Sequence, residues 1–141
     1  GWDAEARASA KEACEAADII LTVTPSREAL VQLDWLGGRP LLLLAIGADS
    51  AGKQELEPSV CAAADLVVVD SRLQCAERGE IQYALKAGSL DMEKVVEIGE
   101  IARDGAPQPR PRLVVFDSTG VAVQDVKIAE LALCELTTSR L

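Results

Sequence analysis

Residues 41–56 read LLLLAIGADSAGKQEL. An apolar run of strand length breaks at Gly47, and Gly47, Gly52 and Lys53 then match the G-x-x-x-x-G-K spacing of a phosphate-binding P-loop. A second feature agrees with that reading: LVVVD, ending at Asp70, has the form of the apolar strand and metal-binding aspartate that accompany P-loops. Three features oppose it. Position 54 is Gln where a Ser or Thr hydroxyl would meet magnesium. Asp49 puts a carboxylate inside a loop whose purpose is to gather amide protons around a phosphate. Pro58 interrupts any helix beginning at Lys53 and reads better as the first residue of a new one. The plain alternative is a strand-to-helix turn with Asp49 as a local cap.

Working outward, similar apolar runs occur at 17–24 (ADIILTVT), 66–70 (LVVVD) and 112–117 (RLVVFD). None alternates with polar residues, so each strand is expected to be covered on both faces, the habit of parallel sheets. Helix signals lie between them. Ser9 to Glu12 and Ser71 to Gln74 have the spacing of capping boxes, and Gly88 and Gly105 stand where helices end. Val95, Ile98 and Ile101 or Ala102 recur at helical spacing within DMEKVVEIGEIARDG. Residues 106–112, APQPRPR, read as a surface connector, and VAVQDVKIAELALCEL (121–136) as a long helix apolar on several faces. The expected order is helix, strand, short helix, strand, helix, strand, paired helices, strand, long helix. That order is an α/β fold with about four parallel strands flanked by helices in three layers. Residues 17–24 read as a central strand, yet one short helix precedes them, so one edge lacks a neighbour.

The 141 residues suit one domain, and the scarcity of aromatics leaves the core to Ala, Val, Leu and Ile. A formal charge of −9 opposes partners bound through their phosphates, so neither nucleic acid nor an anionic membrane surface is expected. No apolar run reaches the roughly 20 residues that span a bilayer, and the chain reads as soluble and cytoplasmic. Cys14, Cys61, Cys75 and Cys134 show no C-x-x-C spacing and read as small buried hydrophobes, with no metal site among them. The absence of His excludes Ser-His-Asp and Cys-His centres and H-E-x-x-H zinc sites. Asp70 and Glu80 are assigned to structure, as a strand-end residue and a helix-surface residue.

Four blocks in order, AIGADSAGKQEL, ADLVVVDSRLQCAERGEIQYALKAG, VVEIGEI and VVFDSTGVAVQD, give a resemblance to the ornithine cyclodeaminase and mu-crystallin family from about residue 9 to residue 130. Members join a substrate-binding, dimerising domain to a Rossmann-type domain that binds NAD or NADP. The resemblance covers the second half of the Rossmann domain, so residues 1–141 are expected to form a single partial Rossmann-like domain. The glycine-rich turn of the first half, G-x-G-x-x-G or G-x-G-x-x-A, has no counterpart here.

By that resemblance Asp49 takes the acid/base or water-positioning role during hydride transfer. Thr24 would lie near the ribose or adenine side of the cofactor, Ile46, Gly47 and Ala48 along the nicotinamide, Lys53 close by, and Ser118 beside the carboxamide. Without the pyrophosphate-holding turn and the substrate domain, binding of NAD or NADP is expected to be weak or absent and catalysis by this chain alone is not expected. A homodimer or homo-oligomer is expected, through the apolar edge of residues 17–24 or through the C-terminal helix. The rival reading is a portion of an NAD(P)-dependent ornithine cyclodeaminase, ketimine reductase or alanine dehydrogenase that works only with the remainder. Small-molecule binding without chemistry is a third.

Overall fold

The computed structural model describes residue 1 and residues 3–138; Trp2 and residues 139–141 lie outside the described residues. Five strands form the main sheet: β1 (Ile19–Thr22), β3 (Leu41–Ala45), β5 (Leu66–Val69), β6 (Val95–Glu97) and β7 (Leu113–Asp117). Their order is β1-β3-β7-β5-β6 and every pairing is parallel. The register aligns Ile20, Leu43, Val115, Val67 and Val95 in one row across the sheet, and all five are buried. Branched side chains dominate this row because they pack well on a pleated surface. At the carboxyl ends, the same register lines up Thr22, Ala45, Asp117, Val69 and Glu97.

Helices α1 (Ala10–Ala16), α2 (Pro58–Ala63), α3 (Arg72–Arg78) and α4 (Ile81–Lys86) contribute Cys14, Val60, Cys61, Cys75, Ile81 and Ala84 to the packed core. Their local signals are the expected ones. Ser9 Oγ accepts the Glu12 amide at 3.2 Å, Ser71 Oγ accepts the Gln74 amide at 3.4 Å, and Pro58 opens α2, where its missing N–H is no loss. Gly105, with φ of 84°, ends α5 (Ile98–Asp104). α6 (Ala122–Thr138) closes the described chain.

Several local expectations are corrected. Residues 25–40 form no short helix: β2 (Arg27–Val31) is followed by a 3-10 turn at Leu33–Trp35. β2 pairs in parallel with β4 (Gln54–Leu56) in a second, two-stranded sheet, and this pairing overrides the helix propensity of Glu28, Ala29 and Leu30. The stretch 91–105 is not one helix: a 3-10 turn at Met92–Lys94 leads into β6, and the helix starts only at Ile98. Val95 shares the helical spacing of Ile98, but two adjacent valines pair with β5 and bury Val95 completely.

β1 is an edge strand, not a central one, and the sheet is covered on one face only at that edge. Ile19 and Leu21 are 62% and 61% exposed on the face opposite Ile20. Leu42, Leu44, Val114 and Phe116 continue this face half-buried, toward a groove bordered by Ile98, Ile101 and the 106–111 connector. The expected second cover is not in place because α6 stays exposed along its described length, with Val123, Val126, Ile128, Leu131, Leu133 and Leu136 all outward. Cys134, on this helix, is likewise exposed where a buried cysteine was expected.

Candidate functional site

The loop that follows β3 decides between the two readings of residues 47–53. It runs into β4 rather than into a helix, so neither a phosphate cradle at a helix N-terminus nor a strand-to-helix turn is formed. Lys53 Nζ is bonded to Asp49 Oδ1 at 2.6 Å, which occupies the cation a P-loop would turn toward phosphate. The Tyr83 hydroxyl donates to the Lys53 carbonyl at 3.0 Å and fixes the base of this loop.

Strands β1, β3 and β7 are neighbours, so the residues that follow them meet at one edge of the sheet. Thr24, half-buried, follows β1; Ile46, Gly47, Ala48 and Asp49 follow β3; Ser118 follows β7. The Ile46 amide donates to the Thr22 carbonyl at 2.9 Å, and the Ser118 amide to the Ala45 carbonyl at 3.0 Å, which continues the ladder into the loops. Ligands of open parallel sheets bind outside the carboxyl ends of adjacent strands. Asp49 is the exposed carboxylate of the group, and its hydrogen bond from Lys53 holds its carboxyl below the usual range, so it is ionised near neutrality. Ser118 is buried, and its Oγ donates to Asp70 Oδ2 at 2.9 Å. The Gly120 amide donates to the same oxygen at 2.7 Å, so Asp70 orders the turn after β7.

Behind these loops lies a feature that the sequence reading missed. Glu55 is fully buried, and its two carboxylate oxygens accept the Thr24 amide at 2.6 Å and the Gly47 amide at 2.9 Å. Gly47 has to be glycine here, since a Cβ would run into the Thr24 carbonyl and Glu55 Oε1. Glu80, assigned above to a helix surface, is 1% exposed and accepts the Glu55 and Leu56 amides at 2.7 and 2.9 Å. Burial, opposed by those amides and reinforced by the Asp117 charge, raises the Glu80 carboxyl to about 8. Asp117 Oδ2 accepts the Ile81 amide at 3.0 Å, while Oδ1 is buried without a hydrogen-bond partner. Burial is also the main cause that raises Asp117 to about 7, with the Asp70 charge adding to it.

For a nicotinamide dinucleotide, the fit is to one end. Three adjacent strand ends meet where open parallel sheets bind ligands, and Gly47 lets the β1 and β3 loops approach closely there. Neither β1 nor β3 leads into a helix, so the amides that would take a pyrophosphate are not supplied at these two strand ends. Among the described residues no group of three or more His, Cys, Asp or Glu is arranged to hold a metal ion, and no helix is long and apolar enough to cross a membrane.

Comparison with known proteins bears on the same site. The model of the ornithine cyclodeaminase/mu-crystallin family matches residues 1–136. An alanine dehydrogenase of Archaeoglobus fulgidus is 38% identical over 118 residues, covering 81% of this chain and 36% of that protein. An iminosuccinate reductase of Paracoccus denitrificans is 36% identical over 115 residues, covering 81% and 35%. The crystal structure of the Paracoccus enzyme in complex with NAD+ superposes with a TM-score of 0.85 at 31% identity, over 94% of this chain and 40% of that one. An archaeal alanine dehydrogenase dimer with bound NAD gives 0.84 at 34% identity, over 94% and 41%. The chain therefore spans a little over a third of the length of these curated relatives.

Proposed function

The chain belongs to the ornithine cyclodeaminase/mu-crystallin family, and from that premise we propose that it carries the nicotinamide-facing part of a dinucleotide site, binds NAD(H) or NADP(H) weakly, and does not turn over substrate alone. The observation that carries this reading is the meeting of Thr24, Ile46–Asp49 and Ser118 at the ends of three adjacent parallel strands. Solved relatives that share this fold hold NAD. A bound nicotinamide supplies or accepts the hydride. Thr24 would face the ribose or adenine side, Ile46, Gly47 and Ala48 would line the ring, and Ser118 would sit beside the carboxamide. Where the remainder of a family enzyme places substrate and cofactor, ionised Asp49, held by Lys53, would receive a proton from the substrate amine or orient water beside the reacting carbon.

Affinity is low because no helix N-terminus at the β1 or β3 end meets the pyrophosphate. Dissociation constants of about 0.1–1 mM are expected, or about 4–5.5 kcal/mol of binding free energy. Titration of NADH and NADPH into the chain by calorimetry tests this, with Lys53→Ala as the variant that weakens binding. Turnover of ornithine, alanine or a cyclic ketimine is expected to equal that of an Asp49→Ala control. A rate well above that control would refute the claim that the chain is not self-sufficient.

One observation favours a second reading, in which these residues act as part of a larger enzyme: the matched relatives are nearly three times as long as the matched segment. Mixing the chain with a polypeptide that supplies a glycine-rich dinucleotide turn and a substrate domain, and recovering turnover, would support it. In either case we place the protein in the cytoplasm and expect it to pair with a second copy through β1 or α6. The exposed apolar side chains Ile19, Leu21 and Val23 support the first route, and those of α6 the second.

A further inference from the structure

We infer that Glu55 is a positioning residue for the site: its buried carboxylate clamps the Thr24 and Gly47 backbone amides together and so holds the β1 and β3 loops in the one arrangement that a nicotinamide riboside would meet. The inference rests on the dinucleotide reading above and adds to it a residue that touches no ligand. Past the bond from the Ile46 amide to the Thr22 carbonyl, the two chains leave the sheet ladder. Glu55 reconnects them at their base, one oxygen to each loop, at 2.6 and 2.9 Å, and the Gln54 amide donates to the Ser26 carbonyl at 2.9 Å where the β2–β4 pairing begins. Hydrogen bonds to an ionised acceptor are shorter and stronger than neutral ones, and a bidentate acceptor fixes spacing as well as distance.

The placement of Glu55 is itself held. β4 carries it inward, and Glu80 takes the amides of both Glu55 and Leu56, so the clamp cannot slide along the strand. Burying a carboxylate costs more than burying an apolar side chain of equal size. A role limited to packing would be filled by leucine, as it is at the next position, where Leu56 is 1% exposed. What the carboxylate returns appears at one spot, the pair of loops at the candidate site. Gly47 fits the same account, because any side chain there would force Thr24 and Glu55 apart. Loops fixed before the ligand arrives avoid the ordering cost of arranging them around it.

The test uses the full chain and the isosteric variant Glu55→Gln, which keeps one acceptor and turns an N–H toward the other amide. Amide hydrogen exchange by NMR is expected to speed up at Thr24 or Gly47 by about tenfold or more, with Leu43, Val67 and Val115 little changed. NADH affinity is expected to fall by about tenfold as well. Faster exchange spread evenly over the core would mark a general loss of stability and overturn the inference. So would freed loops with unchanged NADH affinity. In the parent chain, through-hydrogen-bond couplings from the Thr24 and Gly47 amides to the Glu55 carboxylate carbon provide a readout that requires no variant to fold, and their absence would refute the clamp. A parent chain that NADH does not saturate at about 10 mM, a level where even 1 mM affinity would show, overturns the dinucleotide reading and with it the positioning role. The couplings and the local exchange would still report the clamp, so the two failures are told apart.

Discussion

Asp49 and Lys53 stand 2.6 Å apart on an exposed loop, and the cation keeps the carboxyl ionised. Lys53→Ala is expected to raise the Asp49 titration toward the ordinary aspartate range, as followed by carbon-detected NMR. The buried acids behave oppositely. Glu80 and Asp117 have folded-state values raised to about 8 and about 7, so between roughly pH 4 and 8 the folded chain binds protons that the unfolded chain has released. Their contribution to stability is therefore full at the acid end of that window and is lost as pH rises through it. Urea midpoints should fall from pH 5 to pH 8.5, and Asp117→Asn or Glu80→Gln should flatten the slope. The groups held below their usual values, Asp49, Asp65 and Glu100, act in the opposite sense at the acid end, where their contribution is lost as falling pH protonates them. That Gly47, Asp49 and Ser118 follow strand ends is legible in the sequence, because they stand directly after apolar runs. Glu80 is not legible in the same way: between Gly79 and Ile81 it has the look of a solvated helix residue, and its burial is set by amides 24 and 25 positions earlier in the chain.

Elements show a similar division. Those whose boundaries are written locally, such as α1 behind Ser9, α2 behind Pro58 and the ending of α5 at Gly105, follow directly from the sequence. β2 and β6 do not, since their residues favour strand only once β4 and β5 are alongside. Glu97 joins the two kinds of information. It caps α5 in a reciprocal pair with Glu100, whose Oε2 takes the Glu97 amide at 2.7 Å, and it also accepts the Arg72 amide at the start of α3 at 2.9 Å. Glu97→Ala thus removes the support of two helix starts at once and is expected to cost about 1–2 kcal/mol in chemical denaturation. An outcome within experimental error of the parent would mean that water replaces both bonds.

For the whole molecule, the apolar edge and α6 carry the prediction about assembly. At tens of micromolar the chain should run as a dimer or larger in light scattering, and Leu21→Lys should shift it toward monomer with little loss of stability, because Leu21 is 61% exposed. A parent chain that is already monomeric at that concentration would count against pairing through β1. The strand order holds one more consequence, for biosynthesis. β3 joins β1 on one side and β5 joins β6 on the other, but the two pairs meet only through β7, at residues 113–117. As the polypeptide leaves the ribosome, it can build two separate strand pairs and no continuous sheet, and the central strand is the last to emerge. Between the emergence of Glu97 and that of Asp117 the nascent segment therefore holds two unjoined strand pairs, each with an apolar seam open to other molecules, and these become one sheet only when translation has passed Asp117.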